Sequence, residues 1–374
     1  QTDYEANINA FLEEGCDLIM SVGFLLGDAT AAASAANPDQ AFGIVDVNYL
    51  TADNLYGSGF AINEATFLLG YLAAGMSETG AVATYGGINI PPVTIFMDGF
   101  ALGVEYYNEV HGTSVQTLGW DPAAQDGLFA GNFESTDDGR TLGESLIDEG
   151  ADIIMPVAGP VGAGTLAVLE ERGTGYIIGV DNDWAVQYEN QAGIVLASAL
   201  KNMDLYVYDT IQAVMDGTFA GGNYTGSLEN GGVGLGYGGV DVPAELAAEV
   251  EALIPMIVSG ELATLPMAPP AEGELGSESA PIQVLFVPSV DTDFMIASGE
   301  LIEDAMYDAT GLYFTVSVPT SYAATLEEMC ASADSTIGFI PAMGYALANQ
   351  LCGVEPALAA ERFGWNVYWA QIIA

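Results

Sequence analysis

Between Asp152 and Trp184 the sequence reads DIIMPVAGPVGAGTLAVLEERGTGYIIGVDNDW, and this stretch restricts the possible folds more than any other. Ile153 to Val157 is a short apolar run that stops at a turn rich in glycine and proline (Gly159, Pro160, Gly162, Gly164). Thr165 then caps a helix that runs through Glu171. A second apolar run, Tyr176 to Val180, follows Gly173 and ends on Asp181. Strand, turn, helix and strand in that order form a parallel pair with a crossover, so both strands end on one rim. Ligands of open parallel sheets bind at that rim. A glycine-rich turn and a helix N-terminus present N–H donors there, and Asp181 presents acceptors. The stretch predicts a cleft that holds a small polar molecule.

The same alternation extends from about residue 16 to 215, the pattern of parallel sheets covered by helices. Two blocks of similar rhythm, about 1–117 and 118–225, predict two lobes of like build with a cleft between them. The glycine-rich piece Gly221 to Gly239 returns the chain across a hinge, and Ala244 to Leu262 is a helix, so the first domain spans 1–264 with 226–264 as hinge return and helix. Residues 265–280 (LPMAPPAEGELGSESA) have no apolar period and read as a linker. A second α/β unit starts at PIQVLFVPS and fills 281–374, with strands at 282–287, 312–318 and 336–340 and helices at 296–308, 321–331 and 343–351.

Composition decides several function classes. Hydrophobic residues make up 51% of the 374, which excludes a disordered chain. Four basic residues (Arg140, Arg172, Lys201, Arg362) stand against 51 acidic ones, 4 − 51 = −47. Such a chain repels nucleic-acid phosphate and anionic membrane surfaces. The acidity reads as a solvated face of a secreted or salt-adapted protein; a salt-adapted surface often keeps arginine, which this one does not, so its cause stays open. Cys16, Cys330 and Cys352 lack CxxC spacing, which argues against structural zinc and against a disulfide-built scaffold. Cys330 and Cys352 can pair in an oxidising compartment, leaving Cys16 reduced; the sequence leaves this open. No cofactor or metal is implied.

Familiar motifs fail in context. Gly234, Gly236 and Gly239 match GxGxxG, yet Val240, Val242 and Pro243 follow where a helix should open. Asp181, Asn182 and Asp183 resemble a calcium-loop start, but Val186 and Ala192 occupy the positions of its glycine and glutamate. His111 sits in a helix-end turn, and no GxSxG elbow accompanies it. Among 51 carboxylates no catalytic pair is identifiable, so no enzyme is indicated. Lys201 is different: it is the chain's one lysine and lies between a strand-like stretch and a helix. It is either a surface survivor or a cation facing the cleft.

GAVATYGGINIPPVTIFMDGF, FLLGYLAAGMSETG, IIMPVAGPVGAG, IIGVDNDW, LKNMD and LENGGVGL, in that setting, resemble the basic membrane protein family of ABC-transporter lipoproteins, best known as purine nucleoside receptors. The likeness covers about residues 4–264. It implies an α/β type I periplasmic binding protein, two Rossmann-like lobes with parallel sheets closing about a hinge. In the family, aromatic rings sandwich the base, an acidic side chain reads its edge, and an aspartate, a lysine and the glycine-rich turn hold the ribose. By motif these fall on Asp181, Lys201 and Gly159 to Gly162, with Phe24, Trp120 and Phe133 as aromatic contacts. Asn89 stands where many members have aspartate, and Trp184 where glutamine is common. The family's opening strand and DDKSFN segment have no counterpart before Gln1, so one wall of the pocket and a lipid anchor are expected outside this sequence.

From Pro281, FVPS, PTSYAATLEEM and IGFIPAMGYALA resemble the phosphonate and phosphate-ester binding proteins of ABC transporters. This implies a partial α/β module of the type II binding-protein kind, with Ser289, Tyr322 and Tyr345 facing an oxyanion at helix N-termini; a purely structural module is the alternative. Together the resemblances imply an extracytoplasmic solute-binding protein that performs no chemistry and delivers a nucleoside to an ABC permease. A ligand-sensing receptor ectodomain of the same fold is the alternative.

Overall fold

Short strands, most of them separated by helices, build two sheets in the first of the chain's two units, Gln1–Pro266; the second is Met267–Ala374. The computed structural model describes residues 3–266, 272–288, 299, 301–303, 305–307 and 310–354. The first unit opens with α1 (Tyr4–Glu14), β1 (Leu18–Val22), α2 (Gly27–Ala36), β2 (Ala41–Val45) and β3 (Leu55–Phe60). Next come α3 (Ile62–Met76), β4 (Ala81–Gly86), α4 (Pro91–His111), β5 (Gln116–Leu118) and the short hairpin of β6 (Trp120–Asp121) and β7 (Asp126–Gly127). Then follow α5 (Thr136–Asp148), β8 (Ile153–Val157), α6 (Gly162–Arg172), β9 (Tyr176–Asp181), α7 (Trp184–Gln187), β10 (Val195–Lys201) and α8 (Met203–Met215). β11 (Gly222–Gly226), β12 (Val233–Tyr237) and α9 (Ala244–Val258) end the unit.

One sheet has the order β1-β2-β3-β11 and is parallel throughout. The other has the order β12-β10-β9-β8-β4-β5 and is parallel except for β12, which runs against β10. All five residues of β8 are buried, as expected of a strand with both faces covered. The chain crosses between the sheets three times: through α3, through α8, and between β11 and β12.

Those crossings correct the sequence reading. A lobe boundary near residue 117 falls inside the six-stranded sheet, because β4 and β5 hydrogen-bond alongside β8. Alternation reveals strands but not which sheet each one joins. Gly221 to Gly239 contains β11 and β12, one strand for each sheet. Thr165 lies within α6 rather than capping it: its hydroxyl donates to the Gly139 carbonyl at 2.8 Å and meets the Tyr85 hydroxyl at 2.8 Å.

Helix α3 is apolar on nearly all sides and packs on α4 and α9. Glycines make the α3–α4 contact this close. A Cβ on Gly70 would stand 2.0 Å from the Phe100 carbonyl oxygen, and one on Gly103 2.0 Å from that of Phe67.

The two sheets also share a repeated piece. DLIMSV at Asp17 and DIIMPV at Asp152 each lead through a helix to a strand that ends on or just before an aspartate, with 46 − 17 = 29 and 181 − 152 = 29. Asp46 and Asp181 both adopt φ 66°, the left-handed region that aspartate tolerates better than most side chains.

The second unit contains β13 (Ile282–Phe286), β14 (Phe314–Ser317), α10 (Tyr322–Ala331), β15 (Thr336–Phe339) and α11 (Ala342–Cys352). Its parallel sheet has the order β14-β13-β15, and a Cys330–Cys352 disulfide joins α10 to the end of α11. Cys16 is free. Of the helix expected at 296–308, the described residues 299, 301–303 and 305–307 are helical. Among the described residues, no helix is long and apolar enough to cross a membrane.

Candidate functional site

Lys201 closes β10 at the carboxyl-end rim of the six-stranded sheet, beside Asp181 at the end of β9. Asp46, which follows β2, comes from the other sheet. The Lys201 ammonium lies 2.8 Å from Asp46 Oδ1 and 3.5 Å from Asp181 Oδ1, with the lysine side chain only 5% exposed. The left-handed turn at each aspartate ends its strand and aims a carboxylate at the same cation. The rings of Phe60 and Phe96 flank the ammonium, each centroid at 5.4 Å. Burial pushes the Lys201 pKa down, the Asp181 and Asp46 carboxylates push it up, and the net direction is up.

A cavity of about 300 Å³ opens over this cluster. The four-stranded sheet and its loops contribute Phe24, Asp46, Asn48, Tyr49 and Gly59–Phe60; Ile62 and the head of α4, Pro91, Pro92 and Ile95, form an apolar wall. Phe24 and Tyr49 meet with centroids 6.0 Å apart at a tilt of 59°. Formal charge in the site is one cation against two carboxylates, 1 − 2 = −1. Such a site disfavours anions and suits a neutral ligand rich in hydroxyl donors. An ammonium has three donors, so Lys201 keeps capacity beyond its bond to Asp46.

Of the residues singled out by sequence, the structure brings Phe24, Asp181 and Lys201 to this region. Gly159, with φ 54°, makes the turn after β8, and Gly162 starts α6. Asn89 is exposed in the turn before α4 and is not part of the cavity wall. The two tryptophans face the core instead of the cleft. Trp120 is 5% exposed and donates its indole N–H to Asp98 at 2.9 Å. Trp184 is 3% exposed, donates to the Val180 carbonyl at 3.1 Å, and fills space left by Gly162 and Gly179. Phe133 covers Gly87. In the second unit, Tyr322 opens α10 and Tyr345 lies in the first turn of α11, at the ends of helices that follow β14 and β15; Ser289 lies outside the described residues.

Sequence reading missed Asp46, Asn48, Tyr49 and the α4 wall. The 29-residue spacing shared with Asp181 is the signal that exposes Asp46. Arg140 pairs with Glu144 and Glu171, and Arg172 with Asp148, on the surface between α5 and α6; Arg362 lies outside the described residues. Among the described residues no group of three His, Cys, Asp or Glu side chains is arranged to hold a metal ion.

Two α/β lobes joined by three crossings, with charged strand ends from both lobes meeting under one cavity, define a type I periplasmic binding protein. Residues 1–254 match the family model described as ABC transporter substrate-binding protein PnrA-like, and the chain belongs to that family. The ABC transporter nucleoside-binding protein BmpA of Lactococcus lactis is 30% identical over 249 residues, covering 63% of this chain and 68% of that one. Basic membrane protein A of Borreliella burgdorferi is 31% identical over 268 residues, 69% of this chain and 74% of its own. Among solved structures, an ABC transporter solute-binding protein from Aeropyrum pernix superposes with a TM-score of 0.61 at 25% identity, over 70% of this chain and 80% of that one.

Proposed function

We propose that the first unit is an extracytoplasmic binding protein, not an enzyme, that holds a nucleoside between its lobes and delivers it to the permease of an ABC transporter. The observation that carries this reading is the buried Lys201, held by carboxylates from both lobes beneath the cavity. Asp181 and the spare donors of Lys201 take the ribose hydroxyls, with backbone N–H groups of the Gly159–Gly162 turn beside them. Phe24 and the apolar head of α4 take the base, purine in preference because a larger ring covers more of that wall. The three crossings act as the hinge about which the lobes close. The net negative site separates nucleosides from nucleotides. A relative that shares 30% identity is itself named a nucleoside-binding protein.

Thermal unfolding with inosine, guanosine, adenosine, cytidine, inosine monophosphate and methylphosphonate tests the reading. A ligand at about 100 times its Kd adds about 2.7 kcal/mol. The expected result is a purine-nucleoside shift that Asp181→Ala removes and the monophosphate does not reproduce. No shift with any nucleoside rejects the assignment, and a shift with methylphosphonate alone assigns binding to the second unit.

A further inference from the structure

The cavity wall carries four side chains with polar atoms: Asp46, Asn48, Tyr49 and Lys201. Asp46 holds the Lys201 ammonium, whose remaining donors the nucleoside reading assigns to the ribose. Tyr49 packs its hydroxyl over Gly27, 2.8 Å from where a Cβ there would lie. Asn48 is exposed, and its amide makes no hydrogen bond to any described residue. It is nevertheless firmly seated. β3 places Gly57 and Gly59 on one face, two residues apart. A Cβ on Gly57 would stand 2.3 Å from the Val47 carbonyl oxygen, and one on Gly59 would stand 2.3 Å from Asn48 Nδ2 and 2.7 Å from its Cγ. A bridge between Val47 and Ser58 pins the segment between them. The amide therefore lies over the bare backbone of Gly59, and no described residue takes up its donors or acceptor.

We propose that Asn48 is the residue that reads the nucleobase edge, an inference that rests on the nucleoside reading above. A carboxamide offers one acceptor beside one donor. That pair matches any base edge on which a donor adjoins an acceptor, as when asparagine reads adenine in DNA. Adenine offers N6–H beside N1, and hypoxanthine and guanine offer N1–H beside O6; rotating the amide by half a turn serves either order. The protein thus holds adenosine and inosine alike. A carboxylate at this position accepts only, and guanine alone among these bases presents two adjacent donors, N1–H and N2–H. Asn48→Asp therefore converts a tolerant site into a guanosine-selective one.

Calorimetric titration of the full chain with adenosine, inosine and guanosine distinguishes the outcomes. Wild type is expected to bind adenosine and inosine within about threefold of each other, and Asn48→Asp to favour guanosine over both by at least about tenfold. Asn48→Leu should weaken every nucleoside by about tenfold, because the base edge is left unpaired. Gly59→Ala keeps the amide but displaces it, and should weaken binding in the same direction. Unchanged affinities and order in Asn48→Asp and Asn48→Leu overturn the role of Asn48 while leaving the nucleoside assignment intact. Failure of wild type to bind any nucleoside removes both.

Discussion

Lys201→Met removes the one cation from a cluster that two carboxylates share. Loss of one partner from a buried ion pair costs about 3–5 kcal/mol. The lysine side chain is 5% exposed, but Asp46 is 20% and Asp181 35% exposed, so water softens the repulsion left behind. That places the loss at the low end, about 3 kcal/mol. At roughly 2–4 °C per kcal/mol for a domain of this size, the transition of the first unit should fall by roughly 6–12 °C. Asp46→Asn is the matching perturbation, because asparagine also tolerates the left-handed backbone of that position. Urea unfolding of both single variants and the double variant closes a double-mutant cycle. The double variant should recover at least about 1 kcal/mol relative to the sum of the singles. The sign with pH is fixed by the raised lysine: its contribution is complete below the ordinary lysine pKa of about 10.4 and disappears as pH rises through the higher folded value. Strict additivity in the cycle, or a loss below about 0.5 kcal/mol for Lys201→Met, would refute the cluster as a structural clasp.

Burial raises the carboxyl groups of Asp98, Glu64 and Glu105, so the folded chain binds these protons more tightly than the unfolded one. Stability should rise as pH falls through those raised values toward the ordinary carboxylate range, and reducing the net charge of −47 acts in the same direction; a urea midpoint that drops between pH 7.5 and 5.5 contradicts this. Raising salt from 0.05 M to about 1 M, where the screening length shrinks to about 3 Å, should likewise lift the midpoint of the wild type. Gly103→Ala should destabilise by about 1–3 kcal/mol although alanine is the better helix former, because its methyl meets the Phe67 backbone; a gain on urea unfolding refutes the close contact. Reducing the Cys330–Cys352 bond, whose ends are 22 residues apart, should cost the second unit about 3 kcal/mol, measurable as a lower unfolding midpoint with dithiothreitol.

Much of this architecture is legible from residue order because parallel strands covered on both faces must be apolar along their length. The runs at Ile153 and Tyr176 announce β8 and β9 in that way. β3 escapes the same reading: LYGSGF carries glycines where side chains would collide with the segment of Val47 and Asn48, so a strand resembles a loop. Lys201 and Asp181 stand out because a lone lysine and a strand-terminal aspartate are chemically conspicuous. Asn48 does not, since nothing local distinguishes an idle amide from a bonded one. Aromatic residues mislead for a related reason. Trp120 and Trp184 have the chemistry of a stacking platform, but Asp98 accepts from one and glycine-made hollows receive the other, relations that only the folded backbone creates.

The threefold crossing also fixes the order in which the molecule can be completed. β3 ends at Phe60, and β11, the strand that pairs with it, begins at Gly222, 222 − 60 = 162 residues later. At roughly 5–20 residues per second, synthesis takes about 8–30 s to supply that strand. Through that interval one side of the first sheet exposes an unpaired row of amides and carbonyls, while most of the second sheet is already made. Strands β1 to β3 thus belong to the lobe that is finished late, and that is where a chaperone, or a wrongly paired neighbour, has its longest opportunity.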